Sequence, residues 1–112
     1  MKLAVITPVG PGHEKTYNEL CCPSIQRAVE HSTGPFSEVI PLPVWDLRGE
    51  LGRSRARHLA IAEAAAKAYD WIFFLDADDL LNFHAFEEVA PLLSEHDAIW
   101  GQICETTVEN FG

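Results

Sequence analysis

The chain has 112 residues, 47% of them hydrophobic and 22% charged, a balance that gives one globular domain with a modest core and excludes a disordered chain. Lys and Arg number 8 against 17 Asp and Glu, a net charge of −9 that excludes non-specific attraction to nucleic acid or to an anionic lipid surface. No apolar stretch reaches the ~20 residues of a membrane span and no signal-peptide pattern opens the chain, so a cytoplasmic protein is expected.

The first predicted element is a strand over residues 3–7, ended by the breaker run Pro8-Val9-Gly10-Pro11-Gly12. The glycines let backbone approach a ligand ahead of a helix start with free N–H groups, although ordinary turn chemistry accounts for them equally well. The third glycine of a dinucleotide fingerprint and the Gly-Lys-Ser/Thr of a P-loop are both missing. Residues 14–31 read as helix, with Tyr17, Leu20, Cys21, Ile25, Ala28 and Val29 at helical spacing. Pro23 inside that pattern predicts a kink or a break, and residues 32–35 stop the helix. A second strand over residues 39–45 carries Pro41 and Pro43, which places it near a sheet edge or makes it irregular. Residues 46–51 are loop. Cys21, Cys22 and Cys104 are odd in number and two are adjacent, which argues against disulfides, and no His/Cys spacing supports zinc.

An alanine-rich helix is predicted from Gly52 or Ser54 to about Tyr69. Its start, Gly52-Arg53-Ser54-Arg55-Ala56-Arg57-His58, crowds three arginines where cations oppose the helix dipole. An arriving anion would reverse that balance; pairing with surface carboxylates is the alternative. Arg53 and Arg57 are four apart and share a face, whereas Arg55 points elsewhere.

Residues 71–75, an apolar run, suit a strand buried on both faces, and they empty into Asp76, Asp78 and Asp79. The carboxylates therefore sit at a strand's C-terminal lip, where open α/β sheets bind ligands. Three like charges within four residues repel one another, so a cation is the simplest partner, and all-oxygen ligands prefer Mg²⁺ or Mn²⁺. In extended chain Asp76 and Asp78 lie on one side, roughly 6–7 Å apart, and both face one ion directly or through water. A solvated acidic turn is the alternative. Asn82 is predicted to cap a helix reaching about Glu95 and carrying Phe83, Phe86, Val89, Ala90 and Leu93, its last turns disturbed by Pro91. Residues 98–104 form a last strand. Among the histidines, His31 and His96 fall near helix C-termini, and His13, His58 and His84 fall nearer the expected site.

The order β-α-β-α-β-α-β predicts a three-layer, Rossmann-like α/β fold: a mostly parallel sheet with right-handed crossovers and helices on both faces. Strand C-termini then share one edge, which brings residues 7–13, 46–53 and 76–79 together. A divalent cation on Asp76 and Asp78 would bridge diphosphate oxygens and neutralise charge on a leaving nucleoside diphosphate, helped by an arginine.

Three segments resemble the nucleotide-binding half of GT-A glycosyltransferases of family 2: Ala4-Val5-Ile6-Thr7-Pro8, the run from Gly52 through Arg57 and His58 to Ala64, and Phe73-Phe74-Leu75-Asp76-Ala77-Asp78-Asp79. Asp76-Ala77-Asp78 is similar to that family's Asp-x-Asp motif, and the resemblance covers residues 2–103. It implies a single nucleotide-sugar-binding domain over residues 1–112, the N-terminal part of a GT-A fold. It further implies that Asp78 holds Mn²⁺ or Mg²⁺, that Asp76 contacts the ribose or the metal shell, and that Arg57 contacts the nucleotide. Thr7 and Val9 would line the base pocket and Asp46 would accept from the base; Pro8, Arg53 and Ala77 complete the binding set. The implied activity is sugar transfer from a nucleotide-diphosphate sugar, a UDP-sugar first among them, to an unknown acceptor, with no catalytic base assigned. His58 stands where the family usually has Asn, Val9 where an aromatic residue often stacks, and the stretch between Asp46 and Arg57 is short. One alternative is a non-catalytic nucleotide-sugar-binding or scaffold module that forms a homo-oligomer through an open sheet edge. Another is a haloacid-dehalogenase-like phosphatase with Asp76 as nucleophile and Asp78 as acid/base, although that motif usually lies on the first strand and Leu80 replaces its Thr or Val.

Overall fold

The computed structural model describes residues 1–82 and 84–92. Along the chain run β1 (Lys2–Val9), α1 (Glu14–Thr16), a π-helical turn (Tyr17–Cys21), α2 (Cys22–His31), β2 (Glu38–Trp45), α3 (Arg53–Ala66), β3 (Trp71–Phe74), α4 (Ala85–Val89) and a 3-10 turn (Ala90–Leu92). The strands form a parallel sheet in the order β2-β1-β3, with Leu3 opposite both Val39 and Trp71. The expected parallel α/β architecture is therefore the one adopted. The predicted strand over residues 98–104, with His96, Cys104 and residues 93–95 of the last predicted helix, lies outside the described residues.

The two faces follow from the period of two along β1. Leu3, Val5 and Val9 pack into a core with Tyr17, Cys21, Ile25 and Ala28. Ala4 and Ile6, also without exposed surface, alternate with them and face the other way. Ala56, Ala60 and Ala64 are buried at successive fourth positions of α3, which packs over β1 and β2. Small side chains on that stripe let the helix lie close to the sheet.

Here the apolar run over residues 71–75 departs from expectation. β1, not β3, is the central strand and the one buried on both faces; β3 flanks it, and Phe74 is 45% exposed. The reason is the placement of α3 over β1 and β2, which leaves the end of β3 uncovered among the described residues.

β1 also runs past its expected end at Thr7, through Pro8 and Val9. The Ile6 carbonyl accepts from Leu75 N–H at 3.0 Å, so even-numbered residues of β1 direct their backbone groups at β3. Pro8 shares that parity, and β3 pairing stops at Phe74 opposite Ile6, so its missing N–H deprives no partner in β3. Pro41 and Pro43 lie on the edge strand β2, as their missing donors require.

The expected break near Pro23 is a π-helical turn immediately before it, in which Cys22 N–H reaches the Tyr17 carbonyl five residues back. The extra residue in that turn lets Pro23 open α2 at a position where no N–H is needed. α3 ends at Ala66, three residues short of the expected Tyr69, because Ala68 takes a left-handed φ of +60° and Tyr69 N–H returns to the Ala64 carbonyl. Alanine is an unfavourable residue there. Ala68→Gly is expected to stabilise the protein by about 1 kcal/mol, read as an upward shift of a few degrees in the thermal midpoint.

Asn82 does not cap a helix directly. Its Oδ1 accepts from His84 N–H at 2.8 Å and its carbonyl from Ala85 N–H at 3.0 Å, a turn that delays α4 to Ala85. The helix then yields to the 3-10 turn at Ala90–Leu92, where Pro91 has no N–H to continue it. Among the described residues no helix is long and apolar enough to cross a membrane.

Candidate functional site

Because all three strands are parallel, the loops leaving β1, β2 and β3 share one edge. The first two loops enclose a cleft of about 160 Å³ lined by Pro8, Gly10, His13, Asp46, Gly52 and Arg53. Asp46 organises it. Its N–H donates to the Val9 carbonyl at 2.8 Å, and its carboxylate accepts from Leu51 N–H at 3.1 Å and Gly52 N–H at 3.0 Å. Gly52 then enters α3 at a φ of +79°, a turn that glycine makes without strain. Thr7 and Val9, expected at a base pocket, have no exposed side-chain surface, and strand alternation leaves Pro8 between them as the cleft-lining residue. The Thr7 hydroxyl is buried beside the Cys21 thiol.

The aspartates do not lie on extended chain, as the spacing had suggested. Asp79 N–H donates to the Asp76 carbonyl at 3.0 Å, closing a β-turn. The turn is pinned from beneath: Leu75, Ala77 and Leu81 belong to the core, and the Cys21 thiol donates to the Asp76 carbonyl at 3.6 Å. Burial above all, then the neighbouring Cys22, pushes that thiol up to about 12. As a result three carboxylates converge rather than two: Asp76, Asp78 and Asp79 bring oxygens within 4.8 Å of one another. Partial burial, followed by the charges of Asp76 and Asp78, raises the Asp79 carboxyl above its usual 3.8. Such a set of converging oxygen donors fits a hard divalent cation.

That shift carries a sign. The folded state holds the Asp79 proton more tightly than the unfolded chain, so as pH rises above 3.8 this group increasingly opposes folding. Asp79→Asn is therefore expected to melt higher than the wild type at pH 7, with the gap closing near pH 3.8, as differential scanning calorimetry would record.

Arg57 and Asp76, each expected to meet part of a ligand, meet each other: Nη2 lies 3.1 Å from Oδ1, with both side chains over a third exposed. The guanidinium carbon also sits 5.8 Å from the Phe74 ring centre, and Nε is buried with no partner among the described residues. At this exposure the pair contributes at most about 1 kcal/mol to stability; its consequence is orientation, since it fixes both groups at the end of β3. Arg53 and Ala56 line the cleft and Arg57 reaches the aspartates, so the first turns of α3 bridge the two parts of the edge. Arg55 and His58 are exposed. His13 lines the cleft, whereas His84 sits elsewhere, against His31 and Glu87. In the sequence Asp79 counts among the three repelling acids but falls outside the metal-holding pair expected from Asp76 and Asp78. The signal was present in the three acids over four positions, but only the turn makes the third a neighbour of both others.

The family model described as Glycosyl transferase family 2 matches residues 44–111, a span that begins near the end of β2 and takes in α3, β3 and the aspartate turn. No curated protein and no solved structure matches the chain.

Proposed function

The chain belongs to glycosyl transferase family 2, and on that premise we propose that the shared strand edge binds a nucleotide-diphosphate sugar through Mn²⁺ or Mg²⁺ for transfer of the sugar to an acceptor. The supporting observation is the convergence of three carboxylates beside Arg57 at the end of β3, within the span that matches the family. Asp78 and Asp79 offer exposed oxygens to the ion, with Asp76 completing the set while Arg57 steadies its other side. When bound, the ion supplies positive charge against a leaving nucleoside diphosphate. Arg57, with donors beyond the one engaged by Asp76, is directed at phosphate, and Arg53 at the cleft mouth adds a second cation. Asp46, Pro8 and the glycine backbone of the cleft form the nucleoside side, with Thr7 and Val9 as the packed floor beneath and Ala77 locking the motif into the core.

A thermal-shift panel of nucleoside diphosphates and nucleotide sugars, with and without Mn²⁺, tests this reading. A UDP-sugar at 100 times its Kd is expected to stabilise the protein by about 2.7 kcal/mol, a shift of several degrees, only when Mn²⁺ is present. No shift with any nucleotide in the panel overturns the proposal. Turnover on a set of acceptors separates a transferase from a binding module of the same affinity.

A further inference from the structure

We propose that His31, His84 and Glu87 form a second metal site, for a zinc-class transition ion, at the strand N-terminal edge. The three come from two distant parts of the chain. α2 leaves the C-terminal edge after β1 and runs back, so its last residue, His31, emerges at the far edge. The chain after the aspartate turn passes Ser24, whose hydroxyl accepts from Leu81 N–H at 2.9 Å, and brings His84 beside it. Glu87 follows three residues on.

The Glu87 carboxylate is divided between the two imidazoles. Oε1 lies 2.9 Å from His31 Nε2, and Oε2 lies 3.2 Å from His84 Nδ1. The rings meet edge to face at 4.6 Å between centres, and one ligand atom from each residue falls within 4.8 Å of the others. Ligand atoms around a tetrahedral zinc ion stand roughly 3.3 Å apart, as follows from metal–ligand bonds of about 2.0 Å, so small side-chain rotations suffice to admit an ion. The backbone beneath is fixed: Gly34 lies against the Phe86 backbone, and Phe36 and Phe86 meet edge to face at 6.3 Å. Two imidazole nitrogens and one carboxylate oxygen suit Zn²⁺, Co²⁺ or Ni²⁺ and disfavour Mg²⁺, the reverse of the all-oxygen aspartate turn. Three protein ligands leave a fourth position for water or for a further donor. This site shares no residue with the nucleotide site and stands or falls independently of it.

Co²⁺ titration of the full chain carrying Asp76→Asn, Asp78→Asn and Asp79→Asn, so that the acidic turn does not compete, provides the test. One equivalent is expected to give the intense visible bands of low-coordinate cobalt, displaced by one equivalent of Zn²⁺ and indifferent to excess Mg²⁺. His31→Gln or Glu87→Gln is expected to weaken binding by more than the roughly tenfold that even an outer-shell change costs. Circular dichroism checks that each variant folds. A spectrum of hexaaqua cobalt with the parent chain, or binding undiminished in the folded His31→Gln/His84→Gln variant, overturns the proposal.

Discussion

Asp78→Ala is expected to abolish Mn²⁺-dependent binding of a UDP-sugar, with a loss of at least about 100-fold in affinity, while the protein melts at the same temperature or slightly higher. Asp78 is exposed, and the backbone bond that closes its turn runs between Asp76 and Asp79, so the turn survives the change. What disappears is one of three oxygen donors and one of the two charges that raise the Asp79 carboxyl. The two effects have opposite signs: ligand binding loses a ligand atom, and the free protein loses a repulsion. Arg57→Met provides the contrast. It removes the guanidinium from Asp76 and from the phosphate side but leaves all three carboxylates, so binding is expected to weaken while remaining dependent on Mn²⁺. Isothermal titration of both variants with and without Mn²⁺ separates the roles. Unchanged affinity in Asp78→Ala rejects the metal assignment.

Gly34→Ala is expected to be the most damaging single methyl in the described part of the chain, costing about 3 kcal/mol or more. Gly34 has a φ of +56°, and a Cβ there would stand 2.2 Å from the Phe86 carbonyl oxygen and 2.8 Å from its carbon. Both are backbone atoms of α4, which cannot turn aside as a side chain would. The substitution therefore pushes α4 off the end of α2. Gly12→Ala controls for the backbone term alone: its φ is +83°, but nothing lies within 4 Å of the new methyl. That variant is expected to lose only about 1 kcal/mol. Urea denaturation gives both values; equal losses would mean that the Gly34–Phe86 contact contributes nothing.

The candidate site was legible where its logic is local. An apolar run ending in acids marks a strand end whatever packs around it, and a run rich in alanine marks α3 as a helix. The aspartate geometry was not legible in full, because extended chain and a β-turn fit the same four letters and the choice rests on Leu75, Ala77 and Leu81 all reaching the core. The pairing of Arg57 with Asp76 spans 19 positions and depends on the first turns of α3 lying near the turn that follows β3. The burial of the Thr7 and Val9 side chains was not legible, because it depends on β1 continuing through Pro8, which turns both of them inward. The assembly of His31, His84 and Glu87 was invisible, since it requires α4 to dock on the end of α2.

By itself, the sequence determined the alternation of strands and helices, a disturbance of the helix at Pro23, an edge position or irregularity of the proline-bearing strand, and the acids at the end of β3. Each of these follows from hydrophobic period, missing N–H donors or charge over a few neighbouring residues. The tertiary structure alone decided that β1 is central, that three carboxylates converge, and which arginine meets them. Those outcomes depend on contacts between segments far apart in the chain, where burial and close packing, not local preference, select among arrangements that the residues taken in order leave equally open.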